Sequence, residues 1–251
     1  MRIYAIGDIH GQLNMLKSAH AMIEADRLRC NDSDALIVHL GDLIDRGPDS
    51  RGVIEYLMAG LDAGENWIVI KGNHDRYLTR FYRNGTVTDP RTRAGLTWLD
   101  PRLGGEATLA SYGVDASEDD DLADVRSDML KAVPETHVAF IEALPCFYET
   151  DDLIMVHAGI VPGRPMDQQV ENDLIWIREG FLDDNTDHGK LVVHGHTALD
   201  TPEHFGNRVD LDSGAGYFRP ITAAVFEGRD CSVLSATTRT PLLPPVAKDV
   251  A

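Results

Sequence analysis

The run WIVIKGNHD, residues 67–75, drives a buried strand straight into three polar side chains. Trp67, Ile68, Val69 and Ile70 are the aromatic and β-branched residues that covered, pleated strands favour. Gly72 ends the run, and Asn73, His74 and Asp75 follow at once. None of those three is comfortable in a core. At the carboxyl end of a strand they either cap the next helix or face a site, and the rest of the chain decides which.

The same arrangement occurs twice upstream. RIYAI (2–6) runs into GDIHG (7–11), and ALIVHL (35–40) runs into GDLIDRG (41–47). Between these strands Leu13, Leu16, Ala19, Met22 and Ile23 repeat at helical spacing, as do Val53, Ile54, Leu57 and Met58. The first half therefore predicts β-α-β-α-β-α, crossover units around a parallel sheet. Downstream, LIMVHA (153–158), KLVVHG (190–195) and ITAAVFE (221–227) read as further buried strands. The middle, 84–135, mixes turn and helix signals and predicts a largely helical insertion over one edge of the sheet. Its acidic run at 118–124 reads as a solvated face. After Cys146, NRVDLDSG (207–214), ITAAVFEG and CSVLSA (231–236) suggest antiparallel pairing. The predicted fold class is α/β: a two-sheet β-sandwich flanked by helices. It forms one domain over 1–240, with a Pro-rich tail at 241–251 lying irregularly on the surface.

Composition narrows the function. The 251 residues are 43% hydrophobic and 25% charged, with 23 basic against 41 acidic residues and a net charge of −18. Such a surface repels nucleic acid and anionic membranes, so no nucleic-acid or membrane partner is expected. An anionic substrate would then need local positive charge at its site. Cys30, Cys146 and Cys231 are far apart and odd in number, which suggests neither a disulfide framework nor a zinc-thiolate site. The opening MRIYAIGDIHG carries no cleavable signal and no long apolar segment, so a cytoplasmic location is expected. The pattern does not fix an oligomeric state.

Five strand ends carry ligand-type side chains: Asp8 and His10, Asp42, Asn73 and His74, His157, and His194 with His196. Singly, Asp8 or Asp42 could cap a helix, and a lone histidine after an apolar strand is more often a hydrogen-bonded core residue. Five ends of one sheet system carrying such residues point instead to a site. Carboxylate, imidazole and amide donors without sulfur suit manganese, iron or zinc, and the set can hold two cations with one carboxylate bridging them.

GDIHG, GDLIDRG, GNHD (72–75), HAG (157–159) and HGHT (194–197), in that order and spacing, resemble the phosphoprotein phosphatase branch of the calcineurin-like metallophosphoesterases. DLIWIREGF and LDSGAGY resemble bacterial members of that branch. The resemblance implies two divalent metal ions, manganese foremost, with iron or zinc also suited. It makes Asp8 and His10 ligands of the first, Asp42 the bridge, and Asn73, His157 and His196 ligands of the second. His74 becomes a general acid oriented by Asp45, Arg46 and Arg178 the phosphate grips alongside Asn73, and His194 structural. Arg178 falls on a helical pattern. Asp75 stands where many phosphoprotein phosphatases have glutamate. The implied activity is hydrolysis of phosphoserine and phosphothreonine in proteins by in-line attack of a hydroxide bridging two metals, so the partner is a phosphorylated protein or small phosphoester. The alternative is a symmetrical bis(5'-nucleosyl)-tetraphosphatase, a related branch that usually lacks an acid at the position of Asp45. Trp98 and Trp176 are expected in the core, and Tyr217 suits a cleft wall or packing equally. His20, His39, His137, His188 and His204 stay unassigned.

Overall fold

Alternation in the first strand sorts its side chains between two cores. Tyr4 and Ile6 join a cluster with the helices, whereas Ile3 and Ala5 join one with a second sheet. The structure, a computed structural model, describes residues 1–245. Its strands are β1 (Arg2–Ile6), β2 (Leu36–His39), β3 (Trp67–Val69), β4 (Phe147–Glu149), β5 (Leu153–Val156), β6 (Leu191–His194), β7 (Glu203–His204), β8 (Arg208–Asp210), β9 (Ala223–Glu227), β10 (Asp230–Leu234) and β11 (Arg239–Pro241). The helices are α1 (Leu13–Cys30), α2 (Ser50–Asp62), α3 (Asn73–Asn84), α4 (Gly105–Ser111), α5 (Leu122–Ala132), α6 (Glu135–Ala143) and α7 (Glu171–Leu174).

One sheet runs β11-β10-β9-β1-β2-β3, the other β4-β5-β6-β8-β7. The parallel β1-β2-β3 set is the expected crossover half, with Ile3 opposite Leu36 and Ile37 opposite Trp67. Between the sheets Ile3, Val38, Met155, Val193, Val209 and Phe226 form a continuous apolar layer. The two-sheet sandwich flanked by helices is as predicted.

Three local expectations change. The pairing after Cys146 is mixed: β9-β10 and β4-β5 are antiparallel, but β8 runs parallel to β6 because residues 195–207 cross over before it. The insertion lies on α2 and α3 instead of a sheet edge, since Leu109, Val125 and Met129 face the helical core. Within it α4 and α5 are joined to α3 by a chain of turns over 85–104. The tail begins inside β11, which pairs with β10, and 246–251 lies outside the described residues. No helix among the described residues is long and apolar enough to cross a membrane.

Candidate metal centre and active site

Every predicted site residue on the sheets sits where a strand has just ended. Asp8 and His10 follow β1, Asp42, Asp45 and Arg46 follow β2, Asn73 and His74 open α3 after β3, and His157 and His196 follow β5 and β6. These loops are tightly wound: His10, Asp42, Asp45, Arg46 and His196 hold φ between 48° and 73°. That left-handed region costs about 1 kcal/mol or more per L residue and persists where the surroundings over-determine it. Close approach explains Gly72, where a Cβ would lie 2.2 Å from the backbone nitrogen of Asp42. Asp75 ties the same two loops together. Its carboxylate accepts from Leu43 N at 2.9 Å and Gly72 N at 2.8 Å.

Asp42 stands between two groups of ligand atoms. Its Oδ1 is 3.3 Å from His157 Nε2 and its Oδ2 is 3.6 Å from His10 Nε2. Ligand-type atoms of His10, Asp42 and His74 lie within 4.8 Å of one another, and so do those of Asp42, His157 and His196. Asp8, 2% exposed, reaches the cluster from the other side, its carboxylate accepting from His196 N at 3.1 Å. Burial, then the nearby Asp212 and Asp42, pushes the Asp8 carboxyl well above its ordinary range. The carboxylates crowd one another and call for positive charge.

The imidazole tautomers turn lone pairs toward the cluster. His157 Nδ1 is 2.8 Å from Leu40 O and His10 Nδ1 is 3.0 Å from Ile44 O, so the proton in each ring is on Nδ1. Burial holds both rings below their ordinary pKa, which leaves Nε2 a bare lone pair near neutrality. Yet His157 Nε2 faces Asn73 Oδ1 at 3.0 Å and His196 Nδ1 at 3.2 Å, besides the Asp42 oxygen. Even if His196 donates to it, two oxygens still confront a lone pair. His196 Nε2 is then buried with no partner among the described residues. A divalent cation would satisfy these lone pairs and oxygens together, and the nitrogen and oxygen donors suit manganese, iron or zinc. At His10 the guanidinium of Arg46 supplies the positive charge, its Nη1 2.8 Å from Nε2.

His74 has a different anchor. Its Nδ1 lies 2.7 Å from Asp45 Oδ2, and Asp45 is 0% exposed. Asp45 also accepts from Trp98 Nε1 at 3.0 Å and from the Thr108 hydroxyl at 2.7 Å. The Thr108 oxygen in turn accepts from Asp45 N at 2.9 Å, so this carboxylate is held from every side. Trp98 is in the core, as expected, but the insertion also delivers its indole N–H and Thr108 to the dyad. No spacing in the sequence links 98 and 108 to 45. The one available signal was that a buried indole N–H needs an acceptor.

The groups open into a cleft of about 410 Å³ whose walls carry Arg46, Arg91, Arg93, Arg178 and Arg219. This local concentration answers the acidic composition. Arg178 lies in the loop after α7 and not on a helix, because α7 ends at Leu174, and its Nη2 donates to His196 O at 3.0 Å. Tyr217 proves to be a cleft wall, 60% exposed, with the Arg46 guanidinium 5.4 Å from its ring. Trp176, expected in the core, is only partly buried and lines the cleft as well, its ring edge-on to His196 at 5.8 Å. Asp212, unassigned from the sequence, is a buried carboxylate at the cleft floor. His194 stays outside, its Nε2 facing Arg208 Nη1 at 3.1 Å.

The model of the calcineurin-like phosphoesterases matches residues 1–219. The chain belongs to that family. Phosphoester hydrolysis at a divalent-metal centre is therefore its chemistry, consistent with the clustered ligand atoms. It is 26% identical over 269 residues to the bis(5'-nucleosyl)-tetraphosphatases PrpE [asymmetrical] of Bacillus thuringiensis (strain Al Hakam) and Bacillus cereus (strain 03BB102), covering 97% of each chain compared. A solved structure provisionally named a diadenosine tetraphosphatase superposes with a TM-score of 0.57 at 21% identity, over 96% of this chain and 93% of that one. A cold-active protein-tyrosine phosphatase of a psychrophile Shewanella sp. superposes with a TM-score of 0.61 at 15% identity, over 96% of this chain and 80% of that one. At these identities the structural likenesses speak to the fold.

Proposed function

We propose that this site hydrolyses phosphomonoesters with alkoxide leaving groups, phosphoserine and phosphothreonine in proteins. The observation that carries the reading is the buried His74–Asp45 pair, 2.7 Å apart and braced by Trp98 and Thr108. An alkoxide has a high pKa and departs poorly unless it receives a proton, whereas a phosphate leaving group needs little help. A carboxylate fixed on Nδ1 leaves Nε2 as the atom that carries a proton toward the leaving oxygen. In the resting structure Arg46 Nη2 is 3.1 Å from that Nε2. A phosphate entering the cleft draws the guanidinium to its own oxygens and frees Nε2 to be protonated. Arg46 and Arg178 then grip the phosphate with planar, bidentate donors. The carboxamide of Asn73, beside the phosphate, helps to orient it. Two divalent cations held by Asp8, His10, Asp42, Asn73, His157 and His196, manganese foremost with iron or zinc as alternatives, would supply Lewis acidity and a water acidic enough to attack near neutral pH.

A second reading, hydrolysis of a dinucleoside tetraphosphate, is favoured by the names of the Bacillus relatives and by the number of cleft arginines. Purified, manganese-loaded protein tested side by side on a phosphoserine peptide and on diadenosine tetraphosphate separates the two. The proposal expects chelator-sensitive turnover of the peptide at a kcat/KM at least equal to that on the nucleotide. Turnover of the nucleotide alone would overturn it.

A further inference from the structure

The cleft carries more positive charge than one phosphate needs. Arg46 and Arg178 border the ligand cluster, while Arg91, Arg93 and Arg219 stand along the rest of the wall. Arg91 pairs with Asp173, which Arg164 also engages, and Arg219 pairs with Asp200. Arg93 is exposed and makes neither an ion pair nor a side-chain hydrogen bond among the described residues. In a chain with 41 acidic and 23 basic residues, an uncovered guanidinium at the cleft is unexpected.

Its backbone is firmly tethered. The buried Asp89 carboxylate accepts from Arg76 Nη2 at 2.6 Å, Arg80 Nη1 at 2.9 Å and Arg91 N at 3.0 Å. The Asp89 carbonyl accepts from Thr92 N at 3.0 Å, the Thr92 hydroxyl bonds that of Tyr77, and the Arg93 carbonyl accepts from Leu96 N at 3.1 Å. The pinned turn fixes where the Arg93 side chain leaves the backbone at the cleft wall, and its guanidinium keeps its donors free for an anion.

We propose that Arg93 forms a subsite for a second anionic group of the substrate, beyond the phosphate being cleaved; this rests on the reading of the cleft as a phosphoester-hydrolysing site. The second anion has two chemical sources. One is the carboxylate of an acidic residue beside a phosphoserine, the other the next phosphate of a polyphosphate chain. An arginine fork accepts either.

The test compares wild type, Arg93→Ala and Arg93→Glu, all manganese-loaded. The substrates are phosphoserine peptides flanked by glutamate or by lysine, diadenosine tetraphosphate, and p-nitrophenyl phosphate, which has no second anion. Losing one charge-assisted contact should lower kcat/KM on the substrates with a second anion by about tenfold relative to p-nitrophenyl phosphate, chiefly through KM. Arg93→Glu should reverse the preference between the glutamate- and lysine-flanked peptides. A loss confined to the acidic peptide, or confined to the nucleotide, supports the subsite and identifies its anion. If the nucleotide alone is turned over, and depends on Arg93, the subsite stands while the phosphoserine reading falls. If peptides are turned over and both variants keep the wild-type ratios among substrates, the phosphoserine reading stands and the subsite is overturned.

Discussion

Two pairs of histidines in this molecule have ring nitrogens at nearly the same separation and opposite meanings. His20 Nε2 lies 3.0 Å from His39 Nε2, and His157 Nε2 lies 3.2 Å from His196 Nδ1. In the first pair His39 Nδ1 is 3.1 Å from Ile68 O, so its Nε2 is a lone pair and His20 donates to it. The two rings stack on each other and pack against Trp67, His20 tilted and His39 edge-on. In the second pair His157 is fixed the same way by Leu40 O, but Asn73 and Asp42 add two oxygens to the same lone pair. A histidine pair that closes its own hydrogen bonding is structural. One that gathers further acceptors is a candidate to hold a cation. Distance alone does not tell them apart.

Substitutions on either side of that distinction should differ by orders of magnitude. Asp42→Asn removes the carboxylate shared by both ligand groups, and kcat/KM on p-nitrophenyl phosphate should fall about 10³-fold or more, since a catalytic metal centre is worth several kcal/mol. His74→Asn should keep the metals and lose about 10²–10⁴-fold on phosphoserine, with a smaller loss on p-nitrophenyl phosphate, whose leaving group needs less protonation. Equal losses on the two substrates would make His74 a positioning group only. Trp98→Phe and Thr108→Val should each cost about 10–100-fold with the same leaving-group bias, because they act through Asp45.

The smallest effect belongs to the core pair. Burial pulls His39 down from 6.5 to about 4 and His20 from 6.5 to about 3. The unfolded chain then takes up protons below about 6.5 that the folded one refuses, so stability should fall as pH drops from about 6.5 toward 4 and gain nothing from this pair above it. His20→Gln combined with His39→Gln should flatten that slope in urea unfolding while metal content stays at the wild-type level. An unchanged slope would mean the pair is not buried neutral.

Much of this was readable in the chain because period and chemistry coincide. Apolar strands ending in Gly-Asp, Gly-Asn or His place their polar residues at the carboxyl ends of their sheets, and the packing of the two sheets brings those ends together. The strand-end residues Asp8, Asp42, Asn73, His157 and His196 therefore lie near one another in space. What could not be read depends on contacts between segments remote in sequence. Trp98 and Thr108 reach Asp45 only because α4 packs on α2, and no local pattern encodes that approach. Arg178 looked helical because its neighbours Leu174, Ile175 and Ile177 are apolar, yet they turn into a separate small core behind β5 and β6. The parallel pairing of β8 likewise follows from a crossover and not from its own three residues.

Metal content decides the central claim, that lone pairs converging around Asp42 hold two cations. Protein stripped of metal, reloaded with manganese and desalted should be assayed by elemental mass spectrometry, as wild type, as Asp42→Asn and as His39→Gln. The account predicts two equivalents per chain in wild type and His39→Gln, and less than one in Asp42→Asn. Wild type that binds no manganese, iron or zinc yet hydrolyses p-nitrophenyl phosphate at full rate, or Asp42→Asn that keeps both equivalents, would contradict it.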